Sequence, residues 1–339
     1  MDSLTQVLLG ASVAELVIGR AIGRKASLYG AMLGTLPDLD VLIPYGGAIE
    51  DFTYHRGFSH SLLVLTAAAP VIGWALHKLH GLASLKLWIG MVWLVLITHP
   101  LLDSFTVYGT QLFWPITEYP VSGSSTFIID PAYTLWLAIG VIAVLAFNRQ
   151  NRLGYKVNTI CLALASTYLA WTMTAKAHVT GIAERSMERQ GLTHNHLLST
   201  PAPFNTLLWR FVAMQDDGYY VGYYSVFDDT RDIKFTRYES RTDLLEPLED
   251  TWGVKRLQWF SHGFYRVSQP SPSELVITDL RMGVEDAYVF SFKIADIAAD
   301  GSMNPANERI PVKRVTSRLW QFWYRIWDSS VNLAPRLPE

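Results

Sequence analysis

The sequence predicts an α-helical polytopic membrane domain of four to six segments, followed by a smaller soluble domain of α+β, antiparallel-sheet type. Three observations predict it. Charge is unevenly spread: residues 1–180 hold 19 Asp, Glu, Lys and Arg side chains and residues 181–339 hold 39. The second density is ordinary for a soluble domain and the first is far below it. Four runs, 61–77, 87–102, 131–147 and 157–175, are nearly free of charge and approach the ~20 apolar residues that cross a bilayer core. Beyond residue 200, apolar and polar residues alternate in short runs with the period of half-buried strands. The net charge of −2 argues against a nucleic-acid partner. The lone Cys161 leaves neither a disulfide framework nor a cysteine zinc site.

Two further segments, 4–19 and 26–43, precede the four runs and are shorter or interrupted by acids, so they span, re-enter or lie against the others. Gly19/Gly23 and Gly30/Gly34 have helix-packing spacing. Pro37 biases Leu36 away from helical geometry, so the helix from about residue 26 stops there. With six segments, one set of connections holds Arg20, Arg24, Lys25, Lys78, Lys86, Arg149, Arg152 and Lys156, while 44–60 and 104–130 together hold Arg56 alone. The basic set is expected in the cytoplasm. The loops 44–60 and 104–130, and everything after about residue 178, are then expected in the periplasm. The domains divide as 1–180 and 181–339.

In the soluble part, 184–200 reads as a short helix or linker ending before Pro201. Strands are expected at 219–227, 232–238, 274–279 and 286–293. The aromatic run 318–327 reads either as an interfacial segment on lipid headgroups or as rings filling the small domain's own core.

Ionisable groups within membrane segments are costly and mark function. Three clusters fall near the outer face. Asp38 and Asp40 follow Pro37 at the membrane edge. His55 and His60 flank Arg56, Gly57 and Ser59, where two imidazoles can converge from a turn; Arg56 can grip a phosphate or carboxylate, and Ser59 or Ser61 can cap the next helix. His99 and Asp103 are four apart and share a helix face. Three histidines with carboxylates suit a divalent transition metal, zinc first and manganese or iron next, better than magnesium. The expected ligands are Asp38, Asp40, His55, His60, His99 and Asp103. Arg56, Asp40 and Asp103 are assigned to catalysis. Glu15, acidic within an apolar stretch, reads as a buried partner.

The motifs MDSLTQ, GTLPDLD, HRGFSHS and HPLLD, in that order over about residues 1–145, resemble the YdjM-like inner-membrane metal-dependent hydrolases, also labelled LexA-binding. The resemblance implies a metal site on the same six ligands. The family's opening motif usually reads LTH, and here Gln6 follows Leu4-Thr5. A looser similarity to zinc-dependent phospholipase C and single-strand nucleases, in the order of a PD segment, a His and HxxxD, points to phosphoester hydrolysis. The expected function is a membrane hydrolase acting at the outer interface on a phosphorylated or lipid-linked substrate, with membrane lipids as partners. The alternative is a non-enzymatic scaffold or regulator with a structural metal. A transporter fits less well, because the ionisable groups lie at one face rather than along a path.

Overall fold

A computed structural model describes residues 1–147, 152–285, 287–311 and 319–334; Arg149, Asp286 and Arg318, used in the sequence reading, lie outside these. The chain forms two compact units, Met1–Ile43 with His55–Met173, and Pro44–Tyr54 with Thr174–Glu339. The division falls inside a helix at residue 173 rather than at 180, and the stretch 44–54 belongs to the second unit.

The first unit is helical: α1 (Ser3–Ile22), α2 (Lys25–Thr35), α4 (Leu62–His80), α5 (Leu85–Asp103), α6 (Pro131–Ala146) and the first half of α7 (Leu153–Arg189). Among the described residues, α1, α4 and α5 are long and apolar enough to cross a membrane, and α6 is a shorter apolar helix. Helix α1, read from sequence as short or interrupted, is thus one of the three. The segment 26–43 does not continue as a helix. After α2 the chain tightens into a 3-10 turn at Leu36–Leu42, with Pro37 in its first turn. Leu36 itself keeps right-handed helical angles (φ −56°, ψ −43°), against the bias expected of a residue before proline, because the chain carries on as a tighter helix rather than leaving helical geometry. Helices α1 and α2 pack closely because both carry glycine at the crossing: a Cβ at Gly34 would stand 2.6 Å from the Gln6 carbonyl oxygen, and one at Gly30 would overlap Gly10. Gly30 and Gly34 therefore pack against α1, while Gly23 caps that helix. The core of this unit gathers Leu9, Val13, Ile18, Trp88, Met91, Leu96 and Leu137. Asp130 caps α6, its Oδ1 accepting from the Ala132 and Tyr133 N–H groups.

The second unit contains two four-stranded antiparallel sheets. The first runs β1 (His196–Pro201), β2 (Leu208–Met214), β3 (Gly218–Ser225) and β4 (Phe235–Glu239) in order. The second has the order β10 (Met303–Arg309), β9 (Ser291–Ile297), β6 (Glu274–Asp279) and β5 (Tyr265–Ser271); a small pair, β7 (Gly283–Val284) and β8 (Ala287–Tyr288), stands apart. Strands were expected near β3, β4, β6 and β8–β9. Strand β2 escapes period-2 detection because every one of its residues is buried, so no polar face alternates with its apolar one. The expected linker at 184–200 is instead the end of α7 and strand β1. The second half of α7 packs Val179, Ile182 and Ala183 on Trp209, Phe211 and Tyr224 of the first sheet. Helix α3 (Ala48–Tyr54) places Phe52 against Phe260 of α8 (Trp252–Phe260) and against Phe292. A last helix, α9 (Leu319–Trp327), turns Phe322 and Ile326 inward.

Candidate metal centre

The site lies at one end of the first unit, where three chain segments deliver four side chains. The 3-10 turn after α2 supplies Asp38, a second short turn at Phe58–His60 supplies His60, and the last helical turn of α5 supplies His99 and Asp103. One ligand atom from each lies within 4.8 Å of the other three. Nε2 of His60 is 3.2 Å from Nε2 of His99, 3.4 Å from Asp38 Oδ1 and 3.4 Å from Asp103 Oδ2. Nε2 of His99 is 3.4 Å from Asp38 Oδ1 and 3.6 Å from Asp103 Oδ2. His60, His99 and Asp103 are fully buried, and Asp38 keeps 19% of its side chain exposed.

Both imidazoles are fixed by what their other nitrogen touches. His99 Nδ1 stands 2.6 Å from the Gly34 carbonyl oxygen, which can only accept; Nδ1 therefore carries the hydrogen and donates it. His60 Nδ1 stands 2.9 Å from Ser59 Oγ, and the Ser59 hydroxyl hydrogen is already given to Asp40 Oδ2 at 2.6 Å. His60 Nδ1 must then be the donor to Ser59. In the neutral rings both Nε2 atoms are consequently bare lone pairs. They face each other and two carboxylate oxygens, and among the described residues Asp103 Oδ2 accepts no hydrogen bond, its contact with Arg56 being an ion pair. Three buried acceptors and the part-exposed Asp38 oxygen converge there, so a positive charge, either a proton on His60 or a metal ion, relieves them, because orphaned buried acceptors are costly. Burial opposes charge on His60, but Asp103 and Asp38 outweigh it and raise its pKa above the usual imidazole value. The field that draws a proton there also draws a metal. Chemically, two imidazole nitrogens and two carboxylate oxygens form a donor set that could hold a divalent transition metal.

Four of the six expected ligands are therefore brought together. Asp40 and His55 stand beside them as a separate pair, His55 Nδ1 to Asp40 Oδ1 at 2.8 Å. The second oxygen of Asp40 accepts from Ser59 Oγ and, at 3.0 Å, from the Arg56 backbone N–H. Asp40 thus holds the loop and, through Ser59, the ring of His60, a common arrangement behind metal-bound histidine. Of the two serines, Ser61 caps α4, its Oγ accepting from Val64 N–H. Arg56 is buried with a positive φ of 63°. Its Nε lies 3.2 Å from Asp103 Oδ2, Nη1 donates to Thr106 Oγ1, and the guanidinium covers the Tyr108 ring. The carboxylate that neutralises it is Asp103, rather than an acid in its own loop. Gln6, at the place of the LTH histidine, donates from Nε2 to Asp103 Oδ1 at 2.9 Å, while its buried Oε1 has no hydrogen-bond donor among the described residues. The Met1 amino group also donates to Asp103 Oδ1. Sequence reasoning missed the Gly34 carbonyl and the linking role of Ser59. The first has no side-chain signal at all, and the second shows only as a serine next to a histidine.

A model of the YdjM inner membrane protein family matches residues 1–179. The chain belongs to the YdjM inner membrane protein family. Every residue of the four-ligand cluster falls within the matched region, and membership together with the apolar helices makes this a membrane protein. Among curated proteins, the uncharacterized protein YfhP of Bacillus subtilis (strain 168) is 26% identical over 156 residues, covering 41% of this chain and 47% of that protein. The chain thus spans about half the length of this relative. No solved structure matches.

Proposed function

We propose that the protein is a metal-dependent hydrolase of the inner membrane, with zinc held by Asp38, His60, His99 and Asp103, acting on a phosphorylated or lipid-linked substrate at the periplasmic face. The observation that carries the reading is the convergence of two bare Nε2 lone pairs and two carboxylate oxygens on one point. A divalent metal bound there supplies an acidified water and a Lewis acid for a phosphoryl oxygen. The chain's own residues do the rest. Asp40 and Ser59 hold His60 in the ligating tautomer, and the Gly34 carbonyl does the same for His99. Arg56 holds Asp103 in place by charge. Asp38, the least buried of the four, is the edge through which solvent or substrate reaches the centre. Beside Asp40 and Ser59 lies an apolar groove of about 260 Å³, lined by Leu36, Leu39, Ile43, Phe58 and Val64, and such a wall favours a substrate with a lipid tail.

The charge asymmetry of the short loops supports a periplasmic site. Residues 44–54 fold with 174–339 in one unit, so that loop and the C-terminal domain share a side of the membrane. A second reading, a structural metal in a non-enzymatic scaffold, draws on the burial of three of the four ligands, since structural sites are closed and catalytic ones keep a position open. The deciding experiment is metal analysis of the purified full chain with a phosphodiester turnover assay, repeated on His60→Ala and Asp103→Ala. Stoichiometric metal and turnover in the wild type, both lost in the variants, support the hydrolase. Metal without turnover on soluble or lipid phosphoesters leaves the scaffold, and metal retained in both variants removes the site.

A further inference from the structure

Helix α9 has two apolar faces, and the fold uses one of them. Phe322 and Ile326 pack with Ala202, Leu208 and Leu333. Arg325, on the same side, forms a two-pronged ion pair with Asp228 at 2.7 Å on each prong, and the Ile326 carbonyl accepts from Ser225 Oγ. The helix is therefore locked to β2 and β3 of its own unit and cannot roll. The opposite face carries Trp320, Trp323, Tyr324 and Trp327, spaced i, i+3, i+4 and i+7, which places them in one row. All four are more than half exposed, Trp320 to 70%. Phe227, also exposed, extends the row by stacking on Trp327 at 5.0 Å and 17°. At roughly 150–250 Å² per ring when bare, the uncovered aromatic area is of the order of several hundred Å², the size at which a patch on a soluble surface marks an interaction site.

We infer that this face rests in the headgroup layer of the bilayer that the same chain spans. Its chemistry and setting select that partner. Three indoles and a phenol each join an apolar ring to one polar N–H or O–H, the combination enriched at membrane interfaces. Protein interfaces favour the same rings, and it is the basic charge of the segment and its tether to a membrane-spanning unit that select lipid. Charge complements it: from 309 to 327 the sequence has five basic residues, Arg309, Lys313, Arg314, Arg318 and Arg325, and no acid. Arg325 is spent on Asp228 and Arg309 stands over the Phe290 ring. Lys313, Arg314 and Arg318 lie outside the described residues, and their charge, next to α9 in sequence, favours anionic lipid. The apolar helices of the first unit keep the domain at a membrane surface, so the partner is always within reach. This also resolves the two sequence readings of the run: Phe322 and Ile326 fill the core, and the tryptophans face out.

The test uses the full-length chain with Cys161→Ser and Trp323→Cys, labelled with an environment-sensitive fluorophore and reconstituted into vesicles of phosphatidylethanolamine and phosphatidylglycerol. Quenching is measured by a headgroup-nitroxide lipid and by aqueous iodide, and Trp320→Cys serves as a second probe. The expected result is strong quenching by the nitroxide and weak quenching by iodide at both positions, with the nitroxide effect falling about twofold or more when neutral lipid replaces phosphatidylglycerol. Strong iodide and negligible nitroxide quenching would put the face in water and overturn the inference. Weak quenching by both would mean that protein covers it, a second copy or another chain, and would overturn it equally.

Discussion

Ser59→Ala removes one hydroxyl that touches no metal ligand atom, and it should nevertheless weaken metal binding. Ser59 Oγ joins Asp40 Oδ2, at 2.6 Å, to His60 Nδ1, at 2.9 Å. Without it Asp40 Oδ2 stands 3.8 Å from Nδ1, beyond hydrogen-bond reach. The imidazole then loses the contact that keeps its hydrogen on Nδ1, and the tautomer with hydrogen on Nε2, which cannot ligate, becomes competitive. Losses of this kind of supporting contact cost about 10–100-fold in metal affinity, which is ~1.4–2.7 kcal/mol. Ser61→Ala, two residues on, is the control. It removes the cap of α4 and should cost about 1 kcal/mol of stability with affinity unchanged. The assay is zinc competition against a chromophoric chelator on detergent-purified full chain, with thermal unfolding in parallel. Affinity in Ser59→Ala within about twofold of wild type, outside the range that supporting contacts command, would refute the tautomer argument. So would equal affinity losses in both serine variants.

Arg56→Lys keeps the charge but loses the planar fork; because Arg56 touches Asp103, metal affinity should fall roughly tenfold. A metal-replete Arg56→Lys that binds normally and turns over ~10²-fold more slowly would instead place Arg56 on the substrate. Gly34→Ala drives a Cβ to 2.6 Å from the Gln6 carbonyl oxygen. It should separate α1 from α2, cost about 1–3 kcal/mol and lower metal retention together with the melting temperature, both readable in one chelator-dependent melt. In the second unit, burial opposes the ionised form of Glu285, but Arg210 at 2.7 Å outweighs it and holds the carboxyl below its ordinary value of 4.5. A depressed folded pKa contributes stability above the unfolded value and loses it as pH falls below about 4.5. Acid unfolding of the sheet unit, followed by near-ultraviolet dichroism, should therefore begin in that range and be shallower in Glu285→Gln. A reporter fused after Glu339 should behave as periplasmic; a cytoplasmic signal would move the site to the inner face.

The sequence by itself determined the partition into an apolar helical part and a polar sheet part, because both rest on local composition and period. It determined the end of α2 before Pro37 and the His99–Asp103 pair, each set by a proline ring or by helical spacing within a few residues. It also placed Asp38, His60, His99 and Asp103 in one candidate set, because charged and imidazole side chains stand out in so apolar a chain. Tertiary structure decided which members of that set share one point. Asp40 is only two residues from Asp38, yet the tight turn sends its carboxylate to His55, Ser59 and the Arg56 N–H. No local pattern encodes that choice, since the partners come from a different loop. The same holds for the acid beside Arg56, which lies on α5, and for the Gly34 carbonyl that sets the His99 tautomer, a backbone atom every residue possesses. Strand β2 and the outward tryptophans of α9 were settled in the same way. Burial on both faces erases a strand's period, and which of a helix's two apolar faces is covered depends on what packs against it.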